Sequence, residues 1–298
     1  MRLALLVMIA AIVGGCSRSE EPSTTHGSLN MLATESYVPL LAKEADAFML
    51  RYDKTKIHVG GTTTREAIVA LLNDSVRCIC VDRQLNSEEN KVVQQSGVSL
   101  ATIRMGVDAI ALIVSDDNPM KSITLPTIKS ILNKSTVRWN GVPGSHLSGK
   151  LELILLGKNS GVNELLQRRF FDLPGEIVPA KTGATEKEIV RYIGENPRAL
   201  GFVSFASVID HPKGIHELAV QSTDSSSAGQ FIEPTQSNIY ERLYPLDYSL
   251  YLYISETKLA VGSGFSTFIM TLAGQQIIQD YGLVPEVVPS RIIQLKSE

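Results

Sequence analysis

The stretch KIHVGGTTTREAIVALL, Lys56 to Leu72, decides the fold class. KIHVGG is a short run that stops on two glycines and reads as a strand with its end. Thr63 and Glu66 then stand at capping-box spacing, ahead of apolar Ile68, Val69, Leu71 and Leu72. A threonine accepting from the backbone three residues on, with a glutamate reaching back, satisfies N–H groups that a helix start leaves unpaired. A strand running straight into a capped helix is half of a strand-helix-strand unit, and the same grammar lies on both sides. Upstream, SLNMLAT reads as a strand and Pro39, Leu40, Leu41, Ala45, Phe48 and Met49 form a helical stripe. Downstream, VRCICV is a third strand, and Ser87, Glu88 and Glu89 open another helix. This alternation predicts an α/β fold with a parallel sheet covered by helices.

Further along, Val107 to Val114 (VDAIALIV) is the longest apolar run after the N-terminal segment, broken only by Asp108. It suits a buried strand long enough to lead from one lobe into another. A second unit follows. Thr124 caps LPTIKSIL, LELILL is a strand, and Ser160 opens GVNELLQRRFF. Thr185 and Glu188 have capping-box spacing before IVRYI, and Ala199 to Phe205 (ALGFVSF) is a strand. QSTDSSSAGQ is a surface loop, YSLYLYI a strand, and a helix from Phe265 to about Tyr281 closes the chain.

The N-terminus sets the compartment. Met1 and Arg2 precede an apolar run from Leu3 to Val13, then Gly14, Gly15 and Cys16. A basic start, a short apolar run and small residues before a cut site make a signal peptide, here 1–15. The run is shorter than the ~20 residues a membrane-spanning helix needs. Val13-Gly14-Gly15-Cys16 resembles the bacterial lipobox, which makes Cys16 a lipidation site and the membrane a partner through that lipid. A plain cleaved signal with an incidental cysteine is the alternative. Residues 16–26 are polar, contain Pro22 and read as a flexible tether.

The net charge of −3 gives no sign of a nucleic-acid partner. Cys78 and Cys80 lie two apart in a strand, so their side chains share a face and cannot bridge without strain. Small buried hydrophobes are the preferred reading over a metal site, which lacks further ligands nearby. His26, His58, His146, His211 and His216 show no metal-ligand or catalytic-triad spacing, which argues against an enzyme. No metal and no cofactor are expected.

Three loops share one chemistry: Thr34-Glu35-Ser36, then Gly60 to Thr64, then Gly157-Lys158-Asn159-Ser160-Gly161. In each, small hydroxyl or amide residues join a strand to a helix. Helix N-termini carry unpaired N–H groups and partial positive charge, glycines let the backbone approach an ion, and hydroxyls rotate to suit oxygen. In an α/β sheet such loops lie at the strands' carboxyl ends, where ligands bind. Simple capping explains any one loop; three together point to capture of an oxyanion. Asp82-Arg83 follows the third strand. A carboxylate accepts from the hydroxyl of a protonated anion and repels one without a proton, while Arg83 can offer a two-pronged fork to oxygen. A surface ion pair or loop cap is the other reading of that dipeptide.

Leu71 to Glu89 (LLNDSVRCICVDRQLNSEE) resembles the phosphate-binding proteins of bacterial ABC importers, the PstS-like family. The resemblance continues through VDAIALIVSDDNP, TLPTIKSILN with Trp139, KNSGVNELL, ALGFVSF, YERLYPLDYSLYLYI and GSGFSTFIMTLAGQQIIQDYGLVP. It implies a two-lobed periplasmic-binding-protein fold of type II with crossing hinge strands. Lobe one would take 27–112 and 247–298, and lobe two 113–246. The ligand would lie between the lobes. By position, Thr34, Ser36, Thr62, Thr63 and Thr64 would be its contacts from lobe one, with Asp82 accepting the phosphate proton. Ser160 and Gly161 match the family's serine-glycine-threonine loop, beside Lys158 and Asn159. Two positions depart: Val162 replaces that loop's threonine, and Leu156 stands where many members have arginine. Lys158 or Arg83 would then have to supply the charge. The resemblance implies a monomer that delivers phosphate, or a similar oxyanion, to the permease subunits of an importer from the periplasm or cell surface. An oxyanion-binding sensor lipoprotein uncoupled from transport is the alternative.

Overall fold

The computed structural model describes residues 23–134, 137–171, 177–256 and 260–288. The 1–15 signal segment, Cys16 and the tether up to residue 22 lie outside the described residues. Among the described residues no helix is long and apolar enough to cross a membrane.

The first half of the chain runs β1 (Gly27–Thr34), α1 (Val38–Arg51), β2 (Thr55–Thr62), α2 (Thr64–Leu72), β3 (Cys78–Val81), α3 (Ser87–Ser96) and β4 (Ala101–Ser115). Next come β5 (Ser122–Ile123), α4 (Leu125–Leu132), β6 (Glu152–Leu156), α5 (Gly161–Phe170), β7 (Lys181–Gly183), α6 (Glu186–Glu195) and β8 (Ala199–Ser204). The rest is β9 (Ile215–Glu217), β10 (Ala219–Gln221), β11 (Phe231–Ile232), α7 (Gln236–Tyr240), β12 (Asp247–Ile254), α8 (Val261–Ile269), α9 (Leu272–Tyr281) and β13 (Val284–Pro285).

The strands join in the order β2-β1-β3-β12-β4-β8-β6-β7. β1 pairs in parallel with β2 and β3, and β6 in parallel with β7 and β8, as strand-helix-strand units require. β4 belongs to both lobes. From Ala101 to Ala109 it lies antiparallel to β12; from Ile110 to Ile113 it lies antiparallel to β8. The chain returns beside it, where the Ile110 amide donates to the Leu246 carbonyl at 2.9 Å and the Tyr244 hydroxyl to the Ile110 carbonyl at 2.8 Å. These are the crossing segments of a two-lobed fold.

β3 shows why the first lobe needs helices on both faces. All four of its residues are buried; Cys78 and Cys80 point into the cluster with Leu40, Leu41 and Phe48 of α1, and Ile79 and Val81 into the one with Ala67, Ile68 and Leu71 of α2. The two cysteines are free, and burial pushes both thiols up, which makes them inert. The closing helix differs from the single span expected. It breaks into α8 and α9 at Met270-Thr271, because Thr271 caps the new helix at the Gly274 amide and its hydroxyl also donates to the Phe268 carbonyl. Ser23 and His26 form an antiparallel bridge just before β1.

Thr63 carries the full capping box on α2: its hydroxyl accepts from the Glu66 amide and its own amide donates to Glu66 Oε2, both at 3.3 Å. Thr63→Ala is expected to cost about 1 kcal/mol in chemical denaturation. Glu44 is the misfit of the core. It lies on the inner face of α1, fully buried, and neither carboxyl oxygen has a hydrogen-bond partner. Burial pushes its carboxyl up to about 9, so it is neutral at pH 7. The raised value means a stability contribution that is full at low pH and lost as pH climbs through about 9. Glu44→Met, similar in volume, should stabilise the protein by about 1–3 kcal/mol at pH 7 and by more at pH 10, by equilibrium unfolding.

Candidate ligand-binding cleft

The carboxyl ends of β1, β2, β6 and β7 meet around one cleft of about 820 Å³. The N-termini of α2, α5 and α6 converge there, joined by a short 3-10 turn at Glu35–Tyr37. Each start is set by a local cap. Thr63 serves α2, the Ser160 hydroxyl accepts from the Asn163 amide at 3.2 Å for α5, and that of Thr185 accepts from the Glu188 amide at 3.1 Å for α6. Hence the partial positive charge of three helices faces one space.

At the floor of the cleft the lobes meet through Thr64. Its hydroxyl donates to Asp82 Oδ1 at 2.8 Å, accepts from the Gly161 amide at 3.1 Å and lies 2.9 Å from the Thr34 hydroxyl. The single Thr64 proton goes to Asp82, so Thr34 is the donor in the last contact. Asp82 is 1% exposed. Burial pushes its carboxyl up to about 6, partly offset by the Thr64 hydrogen bond. The carboxylate packs directly on the first turn of α5: a Cβ at Gly161 would fall 1.8 Å from Asp82 Oδ1. Only glycine permits this approach.

The other sequence candidates divide. Thr34, Ser36, Thr62, Thr63, Thr64, Lys158, Asn159 and Ser160 all line the cleft, and Gly161 sits at its floor. Thr62 donates to Glu66 Oε2 at 2.7 Å, and the Asn159 carbonyl accepts from the Arg65 amide of the opposite lobe at 3.2 Å. Arg83 is elsewhere. Its guanidinium is not on the cleft wall but is held by Glu89 at 2.7 and 2.9 Å and by Glu164 at 3.2 Å. The two-pronged fork read from the sequence exists, with protein carboxylates as its partners. Leu156 lines the cleft and Val162 is buried in the core, so neither supplies a polar group.

Glu186 is the residue that sequence reasoning missed. It is the first residue of α6, 6% exposed, and its Oε2 accepts from the hydroxyls of Ser36 at 2.7 Å, Ser204 at 2.6 Å and Ser207. Its Oε1 accepts from the Ser204 amide at 2.8 Å. Ser36 belongs to the opposite lobe, so Glu186 is a second link across the cleft. The cap at Thr185 and Glu188 marks the helix start, but the three serines come from distant segments. Behind the cleft, Asp108 of β4 is fully buried and accepts from the Tyr37 hydroxyl at 2.9 Å, the Tyr248 hydroxyl at 3.1 Å and the amides of Ala109 and Ala206. Burial pushes its carboxyl up to about 7. Among the described residues, no group of three or more His, Cys, Asp or Glu side chains is placed to hold a metal ion.

The cleft walls carry Lys158 and Lys187 against Glu35, Glu186 and Asp210. Hydroxyls of Thr34, Ser36, Thr62 to Thr64, Ser160 and Thr185 line the same walls. A domain described as a PBP superfamily domain matches residues 18–272. The chain belongs to the PBP superfamily. Within it, the chain is 22% identical over 291 residues to Protein SphX of Synechococcus elongatus, covering 95% of this chain and 85% of that one. It is 20% identical over 286 residues to the phosphate-binding protein PstS of Staphylococcus epidermidis, covering 95% and 86%. A phosphate ABC transporter substrate-binding protein from Clostridium perfringens, solved with bound phosphate, superposes with a TM-score of 0.69 at 20% identity over 87% of this chain and 99% of that one. An ABC-type phosphate transport receptor from Vibrio cholerae gives 0.67 at 18% identity, over 87% and 100%. The periplasmic-binding-protein fold expected from the sequence is the fold observed, and the likeness to PstS-type proteins runs along nearly the whole chain.

Proposed function

We propose that this PBP superfamily protein is the extracytoplasmic solute-binding component of an ABC importer and that its solute is phosphate. The observation that carries the reading is Asp82: a buried carboxyl raised to about 6, lying just beneath the cleft lining, bound to Thr64 and packed on Gly161 at the start of α5. A hydroxyl-bearing oxyanion would donate to the Asp82 carboxylate while its other oxygens take the helix-start amides and the Ser160 hydroxyl, with Thr34 and Thr64 joining only as their protons turn away from Thr64 and Asp82. Phosphate keeps at least one proton at neutral pH and sulfate keeps none. The PstS relatives and the phosphate-bound structural neighbour support the same choice. Lys158 and Lys187 would supply the cleft's mobile positive charge, since Leu156 provides none.

Lobe one would comprise 27–112 and 247–298, and lobe two 113–246. The switch of β4 partners at Ala109 and Ile110 supports a boundary within a few residues of that point. The protein would act as a monomer by capture and release, without catalysis. Signal segment 1–15 would direct export and be removed, and a lipid on Cys16 would hold the protein to a membrane at the periplasm or cell surface, close to the permease. Thermal melting of ligand-free protein with phosphate, arsenate, sulfate and molybdate tests the reading. Phosphate and arsenate should raise the melting temperature and the other two should not. Equal shifts with all four would defeat phosphate as the solute.

A further inference from the structure

We infer that Arg83 is the closure latch of this protein, gripping Glu164 across the lobes and so setting the fraction of molecules that are closed. The inference rests on the solute-binding reading and adds a residue pair that never touches the solute. Arg83 follows β3 in lobe one and is 2% exposed. Its outer edge is fixed within its own lobe: Nη1 and Nη2 donate to Glu89, whose Oε2 is itself held by the Asn86 amide at 2.7 Å, and Nη1 also donates to the Gln84 carbonyl at 3.0 Å. Its inner edge faces the other lobe. Nη2 donates to Glu164 Oε1 at 3.2 Å, and Nε lies 2.5 Å from Glu164 Oε2. Glu164 sits one turn into α5, three residues after the Gly161 that rests on Asp82.

That placement makes opening reversible. When α5 withdraws with its lobe, Arg83 keeps the Glu89 carboxylate and stays neutralised, so no unpaired charge is stranded in the core. Glu164, already 21% exposed in its side chain, passes into water with Arg168 3.8 Å away as an alternative partner. The closed form thus gains one poorly hydrated ion pair, with a single hydrogen bond from Nη2 to Glu164 Oε1, that the open form lacks. Neither Arg83 nor Glu164 lines the cleft, so the pair acts on affinity only through the closed fraction.

Glu164→Gln in the full chain is the test, read by small-angle scattering without solute and by stopped-flow phosphate release. The variant should have a larger radius of gyration than the native protein and release phosphate about tenfold faster, with little change in association rate. Glu164→Asp should fall between the two, and Arg168→Gln should match the native protein. Native-like scattering and release in Glu164→Gln would overturn the latch. If native protein fails to bind phosphate, the solute reading falls while the scattering comparison still decides the latch: a more open Glu164→Gln upholds it, and an unchanged one removes it.

Discussion

Gly161→Ala is expected to leave both lobes folded and to weaken phosphate binding by about ten- to a hundredfold, the scale set by forcing a methyl into a packed contact. In the structure a Cβ at this position falls 1.8 Å from Asp82 Oδ1 and 2.1 Å from its Cγ. Asp82 cannot step aside, because it is buried and bound to Thr64, itself fully buried. The two residues belong to different lobes, so the clash disappears once the lobes part. Its cost therefore falls on closure and spares folding, and alanine suits the first turn of α5 well enough. Calorimetry should show the lost affinity beside a melting temperature close to native. Adding Asp82→Ala to Gly161→Ala removes the obstruction, and scattering from the double variant should return to that of the native protein.

Asp82→Asn should change what the cleft selects and how stability depends on pH. With a carboxylate at position 82, sulfate can only set lone pairs against lone pairs, while hydrogen phosphate donates a proton. The amide offers a donor in place of one acceptor, so the phosphate-to-sulfate affinity ratio should fall at least about tenfold, like-charge contacts being worth several kcal/mol. The stability effect has a definite sign. Burial raises the Asp82 carboxyl to about 6, above its unfolded value, so the folded state favours the protonated form. This contribution is complete below about pH 4, where the unfolded carboxyl is also protonated, and is lost as pH rises through about 6. Asp108, raised to about 7 in the same core, acts in the same direction. Ligand-free native protein should therefore lose stability between pH 5 and 8. Asp82→Asn should remove about 1–1.5 kcal/mol of that loss, leaving the share of Asp108. Unfolding titrations at both pH values measure the difference.

Most helix starts could be read from the sequence because capping is local chemistry. Thr63 with Glu66, Thr124, Ser160 and Thr185 each announce a helix within four residues, and each cap is present. The alternation of β3 between two buried clusters was legible for the same reason: side-chain direction in a strand depends on parity alone. What spans the chain was not. Arg83 read as a ligand fork because it follows the third strand beside Asp82, whereas its second carboxylate partner lies 81 positions away. Glu186 looked like an ordinary acid in a first helical turn, and Ser36 meets it from 150 residues upstream. Thr64 was grouped with two partly exposed threonines, yet it alone is fully buried, its hydroxyl joining three separate segments. The break between α8 and α9 went unread because Met270 and Thr271 are tolerable inside a helix, and only the Thr271 cap reveals a new start.

The central claim is that this cleft captures a protonated oxyanion at Asp82. Calorimetric titration of ligand-free protein with phosphate, and separately with sulfate, at pH 7.5 tests it most directly. Phosphate should saturate one site per chain, and sulfate should give no saturable heat at the same concentrations. Saturable sulfate binding of comparable affinity, or no binding of phosphate, would contradict the account.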